Sequence, residues 1–152
     1  MIPYADKALG LLAGRLLGSV VPDLKSPYAQ SDATLTAQLL AVLGAELAAG
    51  VERRMQDINA MQALFGTVAP LLADAALAAR LQGLIGHQPA SLLLVDVNAL
   101  HDELTRALVT LHSEVDGTAA VAAEAAEAAA AQVNDLVWAY LEAQAERHHI
   151  PG

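Results

Sequence analysis

The sequence predicts an all-α fold, a four- to five-helix up-down bundle formed by residues 1–152 as a single domain. Three observations predict it. Apolar residues recur at helical spacing along the whole chain, with no sustained alternation of period two. Hydrophobic residues make up 55% of the chain but aromatics only 3%, so the apolar content is mostly Ala, Leu and Val, which suits closely spaced helices. Proline and glycine number only 6 and 10, and they fall mainly between the periodic stretches. A chain of 152 residues is long enough to bury a core without staples.

The first helix is expected from about Pro3, acceptable in a first turn, to about Val20, stopping before Pro22. The stretch VVPDLKSPYAQ, with two prolines, reads as a loop. Ser31 or Asp32 then caps a long second helix that continues to about Phe65 and ends at Gly66. Thr67 and Pro70 open a third helix, and GHQPA breaks the chain again. A fourth helix spans about Ser91 to Val115, closed by Asp116 and Gly117. The fifth starts at Thr118 and reaches about Arg147, dominated by alanine, the best helix former. The last residues, from about 148, read as a flexible tail.

Charge narrows the function. The net charge is -9, whereas a nucleic-acid binder needs a basic patch to neutralise phosphates, so nucleic acid is excluded as an expected partner. Residues 101–147 carry nine carboxylates against Arg106 and Arg147, making the C-terminal part an anionic, solvated face. With no cysteine, disulfides, thiolate metal sites and cysteine nucleophiles are ruled out. A mean hydropathy of +0.40 raises the question of a membrane. Asp6, Lys7 and Arg15 interrupt the first apolar segment and Glu46 the second, so no transmembrane segment is expected, and no basic region precedes residue 8 to make a signal peptide. The expected location is the cytoplasm, and the alanine-rich composition is of a bacterial kind.

Gly10, Gly14 and Gly18 form a narrow ridge beside Leu9, Leu12, Leu16 and Val20. Small residues every fourth position allow two helix backbones to approach closely. The ridge is expected to pack on Ala119, Ala122, Ala126 and Ala129 of the fifth helix.

Polar residues that interrupt apolar stripes mark candidate sites. The second helix is expected to bury Leu39, Leu43, Leu47, Ile58, Met61 and Phe65, with Arg54 near the middle of that face and Glu46, Arg53 and Asp57 on its shoulder. Arg53 precedes Asp57 by four residues, a spacing that allows an ion pair. Charges do not stay unpaired in an apolar interior, so Arg54 either reaches water or another helix, or presents its guanidinium to a carboxylate or phosphate ligand. His101 and His112 return to nearly one face of the fourth helix, on the shoulder of the stripe Leu104, Leu108, Leu111 and Val115. Eleven residues separate them by roughly 16 Å, too far to share a metal. Glu146-x-x-His149 is half of a carboxylate di-iron motif; the other half is missing, so no metal or cofactor is expected. Dinucleotide, phosphate-loop, zinc-protease and nucleophile-elbow motifs do not occur.

Trp138 projects nearly opposite the inward stripe Val133, Leu136, Val137 and Tyr140. Tryptophan is enriched at interface hot spots, which points to a homodimer. The sequence therefore predicts a non-catalytic helical binding or accessory protein, a homodimer joined through helical interfaces, with a protein partner as a further prospect. Two alternatives stand beside it: a bundle that binds or transforms an anionic metabolite through Arg54, Asp57 and a histidine of the fourth helix, and an amphipathic protein of a lipid or granule surface.

Overall fold

The described residues form five α-helices joined by short π and 3-10 turns and loops, with no strand among them. The structure is a computed structural model that describes residues 4–118 and 124–148. The helices are α1 (Ala5–Arg15), α2 (Pro27–Val68), α3 (Ala75–Leu84), α4 (Leu94–Thr118) and α5 (Glu124–Arg147). Contacts divide the chain into two compact units, Met1–Gly50 and Val51–Gly152, with the division inside α2.

Helix boundaries moved wherever two capping signals competed. α1 ends at Arg15 and continues as a π-turn over Leu16–Val20, the expected stopping point, after which a separate 3-10 turn at Val21–Asp23 carries the chain past Pro22. Pro22 has no N–H and its ring crowds the carbonyl four residues back, so the regular ladder cannot continue. α2 begins at Pro27, not after Ser31 or Asp32, because Ser26 Oγ accepts the Ala29 N–H at 3.5 Å and proline fits the first helical position. The Gln30 side chain closes the short connection by donating to the Leu24 carbonyl at 2.9 Å. At the other end α2 runs through Gly66 to Val68. Thr67, expected to cap the next helix, donates its hydroxyl back to the Ala63 carbonyl at 3.0 Å. The cap of α3 is Asp74, whose Oδ1 accepts from the N–H groups of Ala76 and Leu77 at 2.8 and 3.1 Å. Ser91 precedes α4 and donates to Asp96 Oδ2 at 2.6 Å.

The N-terminal unit is a helical hairpin, and its close approach lies at Gly44. A Cβ on Gly44 would stand 3.1 Å from the Asp6 carbonyl oxygen and 3.4 Å from Leu9 Cβ, so α1 rests on this bare stretch of α2. The expected glycine ridge does not do this work. Gly10, Gly14 and Gly18 are exposed, with open space where a Cβ would point. The reason is that α1 turns its Asp6, Leu9 and Ala13 side to α2, and the ridge carries nothing apolar to bury. Of the alanines expected to cover it, Ala119 and Ala122 lie outside the described residues.

A second correction concerns the α2 stripe. Ile58, Met61 and Phe65 are buried, but Leu39, Leu43 and Leu47 are 55%, 54% and 59% exposed. Leu11, Leu12, Leu17, Leu35 and Val42 of the same unit are also exposed. By length and composition alone, Pro27–Leu71 is apolar enough to cross a bilayer, a test that core helices of soluble proteins also pass.

The C-terminal unit holds the core. Ile58, Met61, Phe65 and Val68 of α2 meet Leu81 of α3, Leu104 and Leu111 of α4, and Val133 and Val137 of α5. The stripes expected on α4 and α5 are the ones buried. Gln62, buried on α2, donates its amide to the carbonyls of Leu84 at 3.1 Å and His87 at 2.9 Å, which ties down the turn where Gly86 takes φ +79°.

Two glycine substitutions in the hairpin will therefore act in opposite directions. Gly14→Ala gains helix propensity of up to about 1 kcal/mol in open space and raises the thermal unfolding midpoint. Gly44→Ala pushes against the backbone of Asp6 and lowers it, as read by circular dichroism melting.

Candidate functional site

Asp57 is the one fully buried carboxylate among the described residues, on the α2 turn next to Ile58 and Met61. A buried carboxylate needs counter-charge and hydrogen bonds, and both come from the end of α5, ninety residues further along. Arg147 Nε donates to Asp57 Oδ1 at 2.9 Å, and His148 Nε2 lies 2.6 Å from Oδ2. His101 on α4 brings its Nε2 to 3.8 Å from the same Oδ2, and its Nδ1 stands 3.8 Å from Asp102. Three helices thus converge on one side chain.

The electrostatics follow from the geometry. Burial alone pushes the Asp57 carboxyl up, but the hydrogen bonds from His148 and Arg147, the charge of His148 and the Gln144 amide outweigh it and hold the group below the usual carboxylate value. Tyr140, on the buried side of α5, moves the other way. Burial and the nearby Asp57 charge push its phenol up to about 12, against a smaller pull from Arg147. The guanidinium carbon of Arg147 lies 5.8 Å from the centre of the Tyr140 ring, within cation–π range. Tyr140 Oη and Arg147 Nη2 are both buried beside one another, where Arg147 offsets part of the rise in the phenol value.

Beside this cluster opens a cleft of about 300 Å³, lined by Arg54, Asp57, His101, Leu141, Gln144, Ala145 and His148. Of the residues singled out in the sequence, Arg54, Asp57 and His101 come together here. Glu46 is in the N-terminal unit, and Arg53 is half-buried on α2 and absent from the cleft lining. His112 sits elsewhere on α4, edge-on to Trp138 with ring centres 6.0 Å apart and planes at 88°. Trp138 is 52% exposed on α5.

Arg147, Gln144 and His148 had no place among the sequence candidates. His148 in particular belonged to the expected flexible tail, yet its ring grips Asp57 and its N–H continues the helical ladder to the Gln144 carbonyl at 3.0 Å. The signal that pointed to it was the demand of Asp57 for a cation; the clustered cations of the sequence ERHH were the available supply. His149, and with it the Glu146-x-x-His149 half-motif, lies outside the described residues. Among the described residues no set of three His, Asp or Glu side chains is disposed to hold a metal ion.

Chemically, the cleft offers N–H donors and cations around a carboxylate whose two oxygens are already engaged. That suits recognition of an oxyanion better than nucleophilic attack, because no hydroxyl or thiol lines it. Comparison with known proteins finds no matching family model, no similar curated protein and no similar solved structure.

Two titrations test this geometry. Because the Asp57 value is lower in the folded protein than in the unfolded chain, its contribution is complete above the ordinary carboxylate range and is lost as pH falls through the lowered value. Asp57→Asn should cost about 2–3 kcal/mol in urea unfolding at pH 7 and make stability less steep below about pH 4 than in the parent. In an alkaline absorbance titration, the last phenol to ionise should do so at about pH 12 and vanish in Tyr140→Phe.

Proposed function

We propose that the protein is a non-catalytic helical binding or accessory protein that works as a homodimer, two α1/α2 hairpins meeting through their exposed apolar faces. The observation that carries this reading is the hairpin itself, where Leu11, Leu12, Leu17, Leu35, Leu39, Val42, Leu43 and Leu47 remain exposed. A helix that is apolar all round is normally buried, and a two-helix hairpin leaves each helix with its outer side uncovered. Two hairpins bring four helices together, the number that closes a bundle core, in the up-and-down order expected for the chain.

Size and charge both favour a second copy as the occupant. Seven leucines at least 45% exposed and Val42 offer apolar surface on the order of the ~800 Å² that each side of a standard interface buries. The largest such patch on an ordinary monomer is smaller, about 300–600 Å². Residues 1–50 carry Asp6, Asp23, Asp32 and Glu46 against Lys7, Arg15 and Lys25, a net charge of -1 out of the -9 of the chain. The hairpin is thus the part of this acidic protein that meets its own copy with little repulsion, and it lacks the cationic face that attracts anionic lipid. Trp138 adds a second exposed surface on α5. The cytoplasm is the location consistent with such an assembly.

Light scattering on the full chain at tens of micromolar tests the reading. The parent should give twice the monomer mass, and Leu39→Glu with Leu43→Glu should raise the dimer dissociation constant at least a hundredfold while far-ultraviolet circular dichroism stays helical. A monomeric parent, a dimer indifferent to the two substitutions, or flotation with phosphatidylcholine vesicles in place of self-association would overturn it.

A further inference from the structure

We propose that the outward face of α5 around Trp138 docks a basic amphipathic segment of another protein, a helix whose lysines or arginines flank an apolar strip. This surface lies within the C-terminal unit and is separate from the hairpin faces that carry self-association.

The argument starts from the surroundings of the only tryptophan of the chain. At about 100° per residue, Glu127, Asp135, Glu142 and Glu146 fall with Trp138 inside an arc of about 100°, on the side of α5 away from the buried Val133, Val137 and Tyr140. All four carboxylates are exposed, and Trp138 is 52% exposed. Asp135 stands three residues before the tryptophan and Glu142 four after it, so both are its neighbours on the helix surface. Ala131 and Ala145, two turns to either side and also exposed, lie nearly in line with Trp138. The large ring therefore stands on a face that is otherwise small-sided and acidic.

Charge decides which partner fits. No lysine or arginine occurs between Glu127 and Glu146, and Arg147, the cation of α5, is turned to Asp57 on the other side. Glu142 and Glu146, like charges four residues apart, weaken the helix rather than support it. An aromatic anchor bordered by such charge is complementary to a surface that is apolar at its centre and cationic at its edges. A second copy does not meet that description. Residues 51–152 carry -8 of the net charge, the -9 of the chain less the -1 of residues 1–50, so two of these faces would meet as like charges. Nucleic acid and anionic lipid are repelled for the same reason.

The anchor is also held in place. His112 of α4 meets the Trp138 ring edge-on, with centres 6.0 Å apart and planes at 88°, which reduces the freedom the ring would lose on binding. Val109, 61% exposed and three residues before His112, adds apolar surface on α4. One tryptophan, one valine and a few alanines form a strip too narrow for a standard globular interface, and its width suits a single docked helix.

Trp138 is its own reporter, since the chain has no other tryptophan. The full chain is titrated with a synthetic amphipathic peptide of lysine and leucine, about four helical turns long, and with the glutamate and leucine peptide of the same pattern. The cationic peptide should bind saturably and one-to-one, move the tryptophan emission to shorter wavelength, and bind more weakly as salt rises from about 0.05 to about 0.5 M; the anionic peptide should do none of these. By fluorescence anisotropy of the labelled cationic peptide, Trp138→Ala should weaken binding at least about tenfold, and Asp135→Asn with Glu142→Gln should weaken it by about the same factor. Glu103→Gln, which removes an exposed carboxylate from the side of α4 opposite His112, should bind as the parent does. All these substitutions are at exposed positions, so the circular dichroism spectrum should stay helical. No binding, binding that leaves the tryptophan emission unmoved, or undiminished binding by Trp138→Ala or by the Asp135 and Glu142 pair would overturn the proposal. So would an emission shift produced by raising the protein concentration alone, which would assign the face to a second copy.

Discussion

A helix that is apolar around its whole circumference has no side it can turn to water cheaply. Residues 35–50 of α2 come close to that condition, with Thr36, Gln38 and Glu46 as their polar side chains and apolar residues on two opposite sides. Gly44 lets α1 settle against it, and Ala37, two turns earlier on the same side, is fully buried. That covers one side only, and leaves Leu35, Leu39, Val42, Leu43 and Leu47 exposed. The same helix, from Val51 onward, meets a different situation. There α3, α4 and α5 supply enough partners to take Ile58, Met61, Phe65 and Val68 out of water. One continuous helix thus has a satisfied half and an unsatisfied half, and the unsatisfied half is where association is expected.

Asp57 belongs to the satisfied half and shows how this unit treats charge. Deep burial of a carboxylate is unfavourable unless partners replace its water. Arg147 and His148 do so from the last turn of α5 and the residue after it, which fastens the end of that helix to α2. Breaking such a pair is worse than never having built it, since the remaining charge would stay buried alone. The arrangement has a second effect. By anchoring His148, it sets that imidazole in the lining of a cleft that Arg54 and His101 also face.

Much of the helical architecture was legible in the sequence, because periodicity reports which face of a helix is apolar. The stripe Leu104, Leu108, Leu111 and Val115 on α4 is buried as its spacing implied, and of the stripe Val133, Leu136, Val137 and Tyr140 on α5 all but the half-buried Leu136 are buried. Spacing does not report whether a partner exists to cover the face, which is why Leu39, Leu43 and Leu47 were misplaced. Nor does it say which side of α1 turns inward, so the role given to Gly10, Gly14 and Gly18 falls to Gly44 on the opposing helix. Helix starts slipped where serine, threonine and aspartate offered rival caps, as with Ser26 against Ser31 and Asp74 against Thr67. The cleft was half legible. Arg54, Asp57 and a histidine of α4 could be grouped because charges in apolar stripes need company, whereas the Arg147 and His148 contacts span ninety residues and leave no trace in local spacing.

The most direct measurement of the central claim is backbone hydrogen exchange in α2 as a function of protein concentration. If the hairpins cover one another, amides of residues 27–50 should be protected at high concentration and exchange progressively faster on dilution, while those of residues 51–68, held by the core of the same chain, stay protected throughout. Equal exchange of residues 27–50 at every concentration, whether slow or fast, would contradict the account.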